Sequence, residues 1–271
     1  MVNRIILKSV RYILLFALGM FLAGCGYRLK PAEETEKLSV EVMRYDRLQS
    51  RYLTTGDFSA LQQMNMDYPM ETRTLIEDVL KLGEVDDPEI NSRFLKFYQD
   101  SILQSIIMDV ESKYTDMGAE NKMLNTAFKR LRRWIPDLKF PRIYTQIGAL
   151  DQSIVIGNNT VGISLDKYLG EDYPLYHRYY DGKQRMSMNR SYIVPDCLSF
   201  YLLSLFPLPD REKRTEKGRD LHMGKIMWVV NKALDKDFFS TPYIEAVNVF
   251  MKKNPQLSII DLLRLDDYSR M

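Results

Sequence analysis

The two histidines are the first residues to consider for chemistry, because imidazole is a common catalytic base and zinc ligand. In one type of zinc hydrolase, two histidines four residues apart on a helix grip the same ion. His177 and His222 are the only histidines in the chain, and they lie far apart in sequence. A hydrolase acting on peptides or cell-wall polymers is the alternative function, and it requires these histidines, Asp166 and Asp196 to converge in one cleft.

Other familiar catalytic patterns are absent from the sequence. It contains no Gly-x-Ser-x-Gly nucleophile elbow, and Gly224-Lys225 lacks the preceding glycine and the following serine or threonine of a phosphate-binding loop. Cys197 lies in an apolar stretch, where a cysteine is more often a small buried residue than a reactive thiolate. We therefore predict that the chain is not an enzyme and has no catalytic, cofactor-binding or metal-binding residues.

Cys25 is the residue whose surroundings best define a chemistry, which is acylation of its thiol. Three basic residues precede an uncharged run over residues 12–24, the layout of an export signal. That run is shorter than the roughly 20 apolar residues that a membrane-spanning helix needs. The Leu-Ala-Gly directly before Cys25 resembles the lipobox of bacterial lipoproteins, whereas an ordinary secretory signal does not explain a cysteine at this place. The sequence predicts a signal peptide over residues 1–24 and acyl chains such as palmitate on Cys25.

The same resemblance bears on where the protein resides. A lipobox cysteine carries at least two acyl chains, which hold a protein stably on a bilayer because each buried CH₂ contributes roughly 0.8 kcal/mol. In bacterial lipoproteins an aspartate directly after the cysteine retains the protein in the inner membrane, and here Gly26 takes that place. We therefore expect the outer membrane, with the protein facing the periplasm. The charged, proline-containing residues 25–37 are expected to be a short tether.

Composition limits the remaining possibilities. Removing the signal takes away Arg4, Lys8 and Arg11 and no acidic residue, so 38 basic against 36 acidic residues becomes 35 against 36, a net charge of −1. This balance gives no support to nucleic-acid binding, which depends on many phosphate-neutralising side chains. With Cys25 acylated, no intramolecular disulfide can form. No repeat or long linker interrupts the rest, so we predict one domain over residues 38–271.

The spacing of apolar residues predicts an α+β domain that is mainly helical around a small antiparallel sheet. Helical spacing dominates residues 38–134, and Pro136 ends the last of these helices. Strands are predicted at 142–147, 153–156 and 161–165. The last two should form a hairpin near residues 153–165, because the Gly-Asn-Asn-Thr between them tolerates the positive φ of a tight turn. Later helices are predicted at 195–205, 221–234, 241–253 and 258–265.

Tyrosines and charged residues are dense between Asp166 and Asp196. Tyrosine and arginine dominate the binding energy of protein interfaces, so one interpretation is a contact surface for a protein or a glycan. The other interpretation is a tyrosine-rich edge of the core whose hydroxyl groups bond to the backbone. The predicted contact residues are Asp166, Lys167, Tyr168, Tyr176, Arg178, Tyr180 and Asp196.

Several motifs along the mature chain resemble those of one family, the gliding-motility-associated lipoproteins of the GldB type found in Bacteroidetes. The most specific is the block Gly-Ile-Ser-Leu-Asp-Lys-Tyr-Leu-Gly over residues 162–170. The other motifs are Arg44-Tyr45-Asp46, Lys81-Leu82-Gly83 followed by Asp86-Asp87, residues 128–136, Pro141-Arg142-Ile143-Tyr144-Thr145, Tyr192-Ile193-Val194-Pro195-Asp196 and Gly224-Lys225.

This resemblance implies a cell-envelope lipoprotein that gliding members need for surface movement and the associated secretion machinery, and it implies no known reaction. The expected partners are the membrane, through the lipid anchor, and other envelope proteins of that machinery. Homologues also occur in bacteria that do not glide, so the expected role is that of a non-enzymatic accessory or scaffold protein. Longer members have an acidic helical segment after Gly-Lys, whereas here Lys225 is soon followed by Thr241, so the C-terminal third is shorter.

Overall fold

A computed structural model describes residues 39–269 and Met271. The predicted signal, Cys25 and the predicted tether lie outside the described residues. The α-helices are α1 Tyr45–Thr55, α2 Phe58–Asp67, α3 Pro69–Arg73, α4 Ile90–Phe97, α5 Ser101–Lys113, α6 Gly118–Trp134, α7 Tyr176–Tyr179, α8 Gly182–Arg185, α9 Ile193–Leu205, α10 Glu216–Leu234, α11 Pro242–Lys253 and α12 Ile259–Arg264. The strands are β1 Val42–Met43, β2 Arg142–Gln146, β3 Ile154–Gly157 and β4 Thr160–Ser164. The predicted fold class, a mainly helical α+β domain, is confirmed.

The sheet has four strands in the order β1-β2-β4-β3. The predicted hairpin is confirmed, since β3 and β4 are antiparallel with Gly157 opposite Thr160, and Asn159 in the turn has a φ of 56°. The other two pairs, β1-β2 and β2-β4, are parallel, so the sheet is mixed, whereas the sequence predicted an antiparallel one. The loop after β2 carries the chain to β3 at the edge of the sheet, and the hairpin turn then brings the chain back as β4, between β3 and β2. As a result β4 runs in the same direction as β2.

The strand β1 was not predicted, because the apolar spacing over residues 38–134 is mostly helical. β1 has only two residues, Val42–Met43, which is too short for the alternation that identifies a strand. It forms through contacts with distant parts of the chain. Val42 pairs with Ile143 of β2, and the Val42 N–H donates to Oδ1 of Asn121 on α6 at 2.8 Å.

The predicted helix faces pack into one main core around the sheet. Fully buried side chains in the mainly helical stretch 38–134 include Leu75, Phe94, Ile106, Leu124, Phe128 and Leu131. Cys197 is fully buried on α9, and burial raises the pKa of its thiol, as expected for a structural cysteine. Both faces of β2 are covered, because Ile143, Tyr144 and Thr145 are all buried. This is the usual condition of a strand with parallel neighbours.

The four C-terminal helices agree closely with their predicted positions. α6 ends at Trp134, just before Pro136, as predicted. α10 begins at Glu216, earlier than predicted, because the Thr215 hydroxyl caps it by accepting the N–H of Gly218 at 3.1 Å. Within the described residues, no helix is both long and apolar enough to cross a membrane.

Candidate functional site

The seven predicted contact residues differ in exposure. Three are buried in the core: Asp166, Tyr168 and Tyr176. Three are partly buried: Lys167, Tyr180 and Asp196. Arg178 is exposed. The prediction of a contact surface is therefore wrong for the three buried residues, because a side chain enclosed in the core cannot touch a partner. Their polar groups find hydrogen-bond partners inside the protein, which was the second interpretation of this segment.

Asp166 is the centre of the buried polar network. It follows β4 in a 3-10 turn, Leu165–Tyr168, and its carboxylate accepts the N–H groups of Gly148 at 2.8 Å and Leu150 at 2.6 Å. Burial raises the pKa of Asp166, and the two amide donors oppose that shift by stabilising the ionised form. Ala149 and Leu150 have positive φ values of 53° and 63°, a region that such residues rarely adopt. The carboxylate thus holds the loop after β2 in an unusual conformation.

Two tyrosine hydroxyls extend this network to α7. Tyr176 accepts the N–H of Leu169 at 2.9 Å and donates to the main-chain carbonyl of Asp166. Tyr180 donates to the carbonyl of Leu150 at 2.7 Å and accepts from Nζ of Lys167 at 2.8 Å. Both tyrosines therefore attach the segment around α7 to the carboxyl ends of β2 and β4.

The described residues also include an exposed loop, residues 171–187, which we call the contact loop. Its base is closed by the Gly170 N–H, which donates to the Met188 carbonyl at 2.9 Å. Gly170 has a φ of 120°, which favours glycine at this position. Farther along, Asp181 and Gln184 form a reciprocal capping box at the start of α8. The loop is thus closed at its base and ordered internally.

The contact loop presents exposed side chains that, apart from Arg178, were not among the predicted contact residues. Tyr179 is 62% exposed and Met186 is 63% exposed, and the basic residues Arg178 and Lys183 are exposed beside them in sequence. Helical spacing could have separated the buried from the exposed side chains of this segment. Tyr176 and Tyr180 are four residues apart, a spacing that places side chains on the same face of a helix, and both bond to the protein interior. Tyrosine, methionine and arginine are enriched at protein interfaces. The arrangement fits a rigid contact surface made by the loop rather than by the buried tyrosines.

The four residues of the hydrolase alternative do not form one site. Asp166 bonds to main-chain amides, and Asp196 accepts from the Tyr168 hydroxyl at 2.9 Å. His177 is exposed next to Arg185, whereas Nδ1 of the buried His222 lies 2.7 Å from the Tyr268 hydroxyl. No hydrogen bond joins any two of these four side chains, and residues 39–269 contain no group of three or more His, Cys, Asp or Glu able to hold a metal ion. The convergence that this alternative requires is therefore missing from the described structure.

Asp196 nevertheless has an unusual environment at the start of α9. Burial raises its pKa to about 7, although the Tyr168 hydroxyl donates to the carboxylate and favours the ionised form. An unfolded aspartate has a pKa of about 3.9. Between pH 4 and pH 7, therefore, the folded state keeps a proton that the unfolded state has lost. The resulting stabilisation is present below about pH 4 and is lost as the pH rises through 7.

Replacing Asp196 with asparagine should remove this titration. The free energy of unfolding of the Asp196→Asn variant, minus that of the wild type, is expected to rise by about 2 kcal/mol from pH 4 to pH 6. The difference is the quantity to measure, because His222, whose pKa burial lowers to about 4, titrates in the same range in both proteins. Urea unfolding, followed by circular dichroism at four pH values, measures this difference in the free energy of unfolding. The exposed Asp67→Asn is the control, and a pH-independent difference for Asp196→Asn would contradict the assignment.

The fold and site together define a mainly helical α+β protein with an exposed contact loop above a buried polar network and, in its described part, no assembled catalytic centre. The family model for gliding motility protein GldB matches residues 27–240, and the chain belongs to this family of gliding motility lipoproteins. The family resemblance drawn from the motifs is thus confirmed. The family is not a known enzyme family, and it indicates a place in the cell envelope. A search of curated proteins and one of solved structures found no match.

Family membership also gives a meaning to the motif over residues 162–170. Asp166 and Lys167 of this motif bond to the loop after β2, Gly170 closes the base of the contact loop, and Tyr168 bonds to Asp196 on α9. The Arg44-Tyr45-Asp46 motif is also structural, because Arg44 pairs with the buried Asp46 at 2.7 Å. These motif residues support the contact loop instead of forming a surface themselves.

Proposed function

We propose that this chain is a lipid-anchored, non-enzymatic scaffold protein of the cell envelope that binds other proteins of the motility or secretion machinery through its contact loop. The observation that carries the proposal is the exposure of Tyr179 and Met186, together with Arg178 and Lys183 near them in sequence, on a loop fixed by buried hydrogen bonds. Most of the cost of ordering such a loop on binding is already met in the free protein. A preordered aromatic and basic surface can therefore bind with little entropic loss.

The membrane part of the proposal rests on the N-terminal sequence. A signal over residues 1–24 is removed, Cys25 receives acyl chains, and residues 25–37 tether the domain. Gly26, in the place where an inner-membrane lipoprotein has aspartate, favours the outer membrane with the domain facing the periplasm. In this arrangement the contact loop meets partners that lie at the same membrane surface. Because the chain and its partner lie on one membrane, the effective concentration of the partner near the contact loop is high. Weak contacts are then sufficient for binding.

The exposed side chains of the contact loop provide the test. A variant carrying Arg178→Glu, Tyr179→Ala and Lys183→Glu should recover at least about tenfold less partner protein after crosslinking in intact envelopes, because interface tyrosines and arginines each contribute about 2 kcal/mol or more when they are hot spots. Its thermal unfolding should match the wild type, since the three side chains are exposed. Co-purified proteins are quantified by mass spectrometry.

The matched control reverses basic charges elsewhere on the surface. Arg211→Glu with Lys213→Glu changes two exposed residues of the 3-10 turn Arg211–Lys213. This control should leave partner recovery unchanged. Equal recovery by the wild type and the contact-loop variant would overturn the proposed contact surface, and equal losses in both variants would show a nonspecific effect of charge.

A further inference from the structure

A cleft of about 580 Å³ lies on another part of the surface and takes no part in the network described above. Its walls are residues 135–139 after α6, the β3-β4 turn over residues 156–159, the end of α9 and α12. The volume falls within the range of roughly 300–1,000 Å³ that is typical of small-molecule sites. A cavity of about 150 Å³ is enough for benzene, so this cleft can accept a considerably longer apolar molecule.

The interior of the cleft is mainly apolar and held in a fixed shape. Its apolar lining consists of Ile135, Leu138, Ile156, Tyr201, Leu205, Phe206 and Ile260. The wall formed by residues 135–139 is fixed by the Tyr201 hydroxyl, which donates to the Lys139 carbonyl at 2.7 Å, and by Arg132, which donates to the Leu138 carbonyl. Leu205 remains 42% exposed. Apolar surface left open in a fixed concave shape is a feature of ligand-binding grooves.

The charged residues of the lining are predominantly basic. Lys139 and Arg264 are both exposed, against one acidic residue, Asp137. Among residues 39–269, neither the Lys139 nor the Arg264 side chain forms an ion pair or a hydrogen bond, so both charges are available. α12, which carries Arg264, is itself held firmly, because Nζ of the buried Lys225 donates to the carbonyls of Leu263 at 2.9 Å and Leu265 at 2.7 Å. The guanidinium of Arg264 suits a carboxylate or phosphate group.

The cleft is not a feature that family membership implies. Ile260 and Arg264 lie beyond residue 240, where the match to the family model ends. The wall that supplies one of the two basic residues is therefore contributed by the C-terminal part of this chain.

We propose that this cleft binds a single-chain amphiphile, with the acyl tail against the apolar lining and an anionic head at Lys139 and Arg264. Apolar lining combined with a small excess of positive charge matches a molecule that is apolar along its length and negative at one end. The volume favours one acyl chain over a two-chain lipid. The proposal does not depend on the contact loop, and the two can be tested separately.

Titration calorimetry with laurate and with 1-dodecanol, at concentrations below micelle formation, tests this proposal. The full mature chain, residues 25–271 with Cys25→Ala, avoids detergent, which would compete for the cleft. Laurate should bind saturably at a ratio of one to one, and dodecanol at least about tenfold more weakly. The double variant Lys139→Gln, Arg264→Gln should weaken laurate binding to the dodecanol level without changing dodecanol binding, since the two side chains are exposed and unpaired among the described residues.

Two further variants locate the binding. Ser204→Trp introduces a bulky ring at the exposed edge of the cleft and should abolish binding of both probes, whereas Lys213→Gln, an exposed charge elsewhere, should change neither. The absence of saturable laurate binding by the wild type would overturn the proposal. Laurate binding that survives both the charge variant and Ser204→Trp would also overturn it, because the ligand would then lie elsewhere.

Discussion

Replacing Asp166 with alanine is expected to lower the free energy of unfolding by about 3 kcal/mol, a large part of the stability of a typical domain. The substitution leaves the N–H groups of Gly148 and Leu150 without their acceptor, and each unsatisfied buried donor costs about 1–3 kcal/mol. Relief from burying a carboxylate, whose pKa burial raises, offsets part of this loss. Urea unfolding at pH 7, monitored by circular dichroism, measures the change.

The effect should extend to the contact loop, because Tyr176 donates to the main chain of Asp166 and Tyr180 to the loop that Asp166 holds. Hydrogen exchange of amides in residues 171–187 should become faster in Asp166→Ala. Asp151→Ala, which removes an exposed acidic side chain from the same loop after β2, is the matched control and should change the free energy of unfolding by less than about 0.5 kcal/mol. A loss below about 1 kcal/mol for Asp166→Ala would show that the network does not depend on this carboxylate.

The second large effect concerns Cys25. With the native signal replaced by a secretory signal cleaved before residue 25, a chain carrying Cys25→Ala should move entirely from the membrane fraction to the soluble fraction. The reason is that the acyl chains supply the membrane affinity, at roughly 0.8 kcal/mol for each buried CH₂. The wild type with its native signal should stay in the membrane fraction. Fractionation followed by immunoblotting, with labelled palmitate to detect acylation, measures the redistribution.

The other cysteine is the natural control for this experiment. Cys197 is fully buried on α9, so Cys197→Ala should leave both the palmitate label and the membrane fraction unchanged. Mass spectrometry of the mature N-terminus should find an acylated cysteine as the first residue. An unmodified Cys25, or a mature chain that begins elsewhere, would contradict the lipid anchor whatever the fractionation shows.

The sequence was most informative where structure depends on neighbouring residues. The end of α6, the positions of α9 to α12 and the β3-β4 hairpin were predicted closely, because Pro136, apolar spacing and the Gly157–Thr160 turn act locally. The strand β1 and the parallel pairing of β2 with β4 were missed, because they depend on residues far apart in the chain. Loop length and turn residues cannot specify which strand lies beside β2.

The contact residues were harder to predict for a related reason. A tyrosine has an apolar ring and a polar hydroxyl, so its side chain suits the core whenever a partner for the hydroxyl is present. Tyr168 and Tyr176 find such partners in Asp196 and in the main chain of Asp166 and Leu169. The exposed Tyr179 differs from them in position and not in chemistry. Density of tyrosine and charge in the sequence therefore could not separate the buried side chains of this region from the exposed ones.

Site-specific photocrosslinking at position 179 in intact cells tests the proposed role most directly. A photoreactive amino acid in place of the exposed Tyr179 should give a discrete crosslinked product that is absent at the exposed control position 213. The product should diminish strongly when the chain is released from the membrane by Cys25→Ala. If position 179 crosslinks no more than position 213 in the anchored protein, the contact loop is not where this lipoprotein meets its partners.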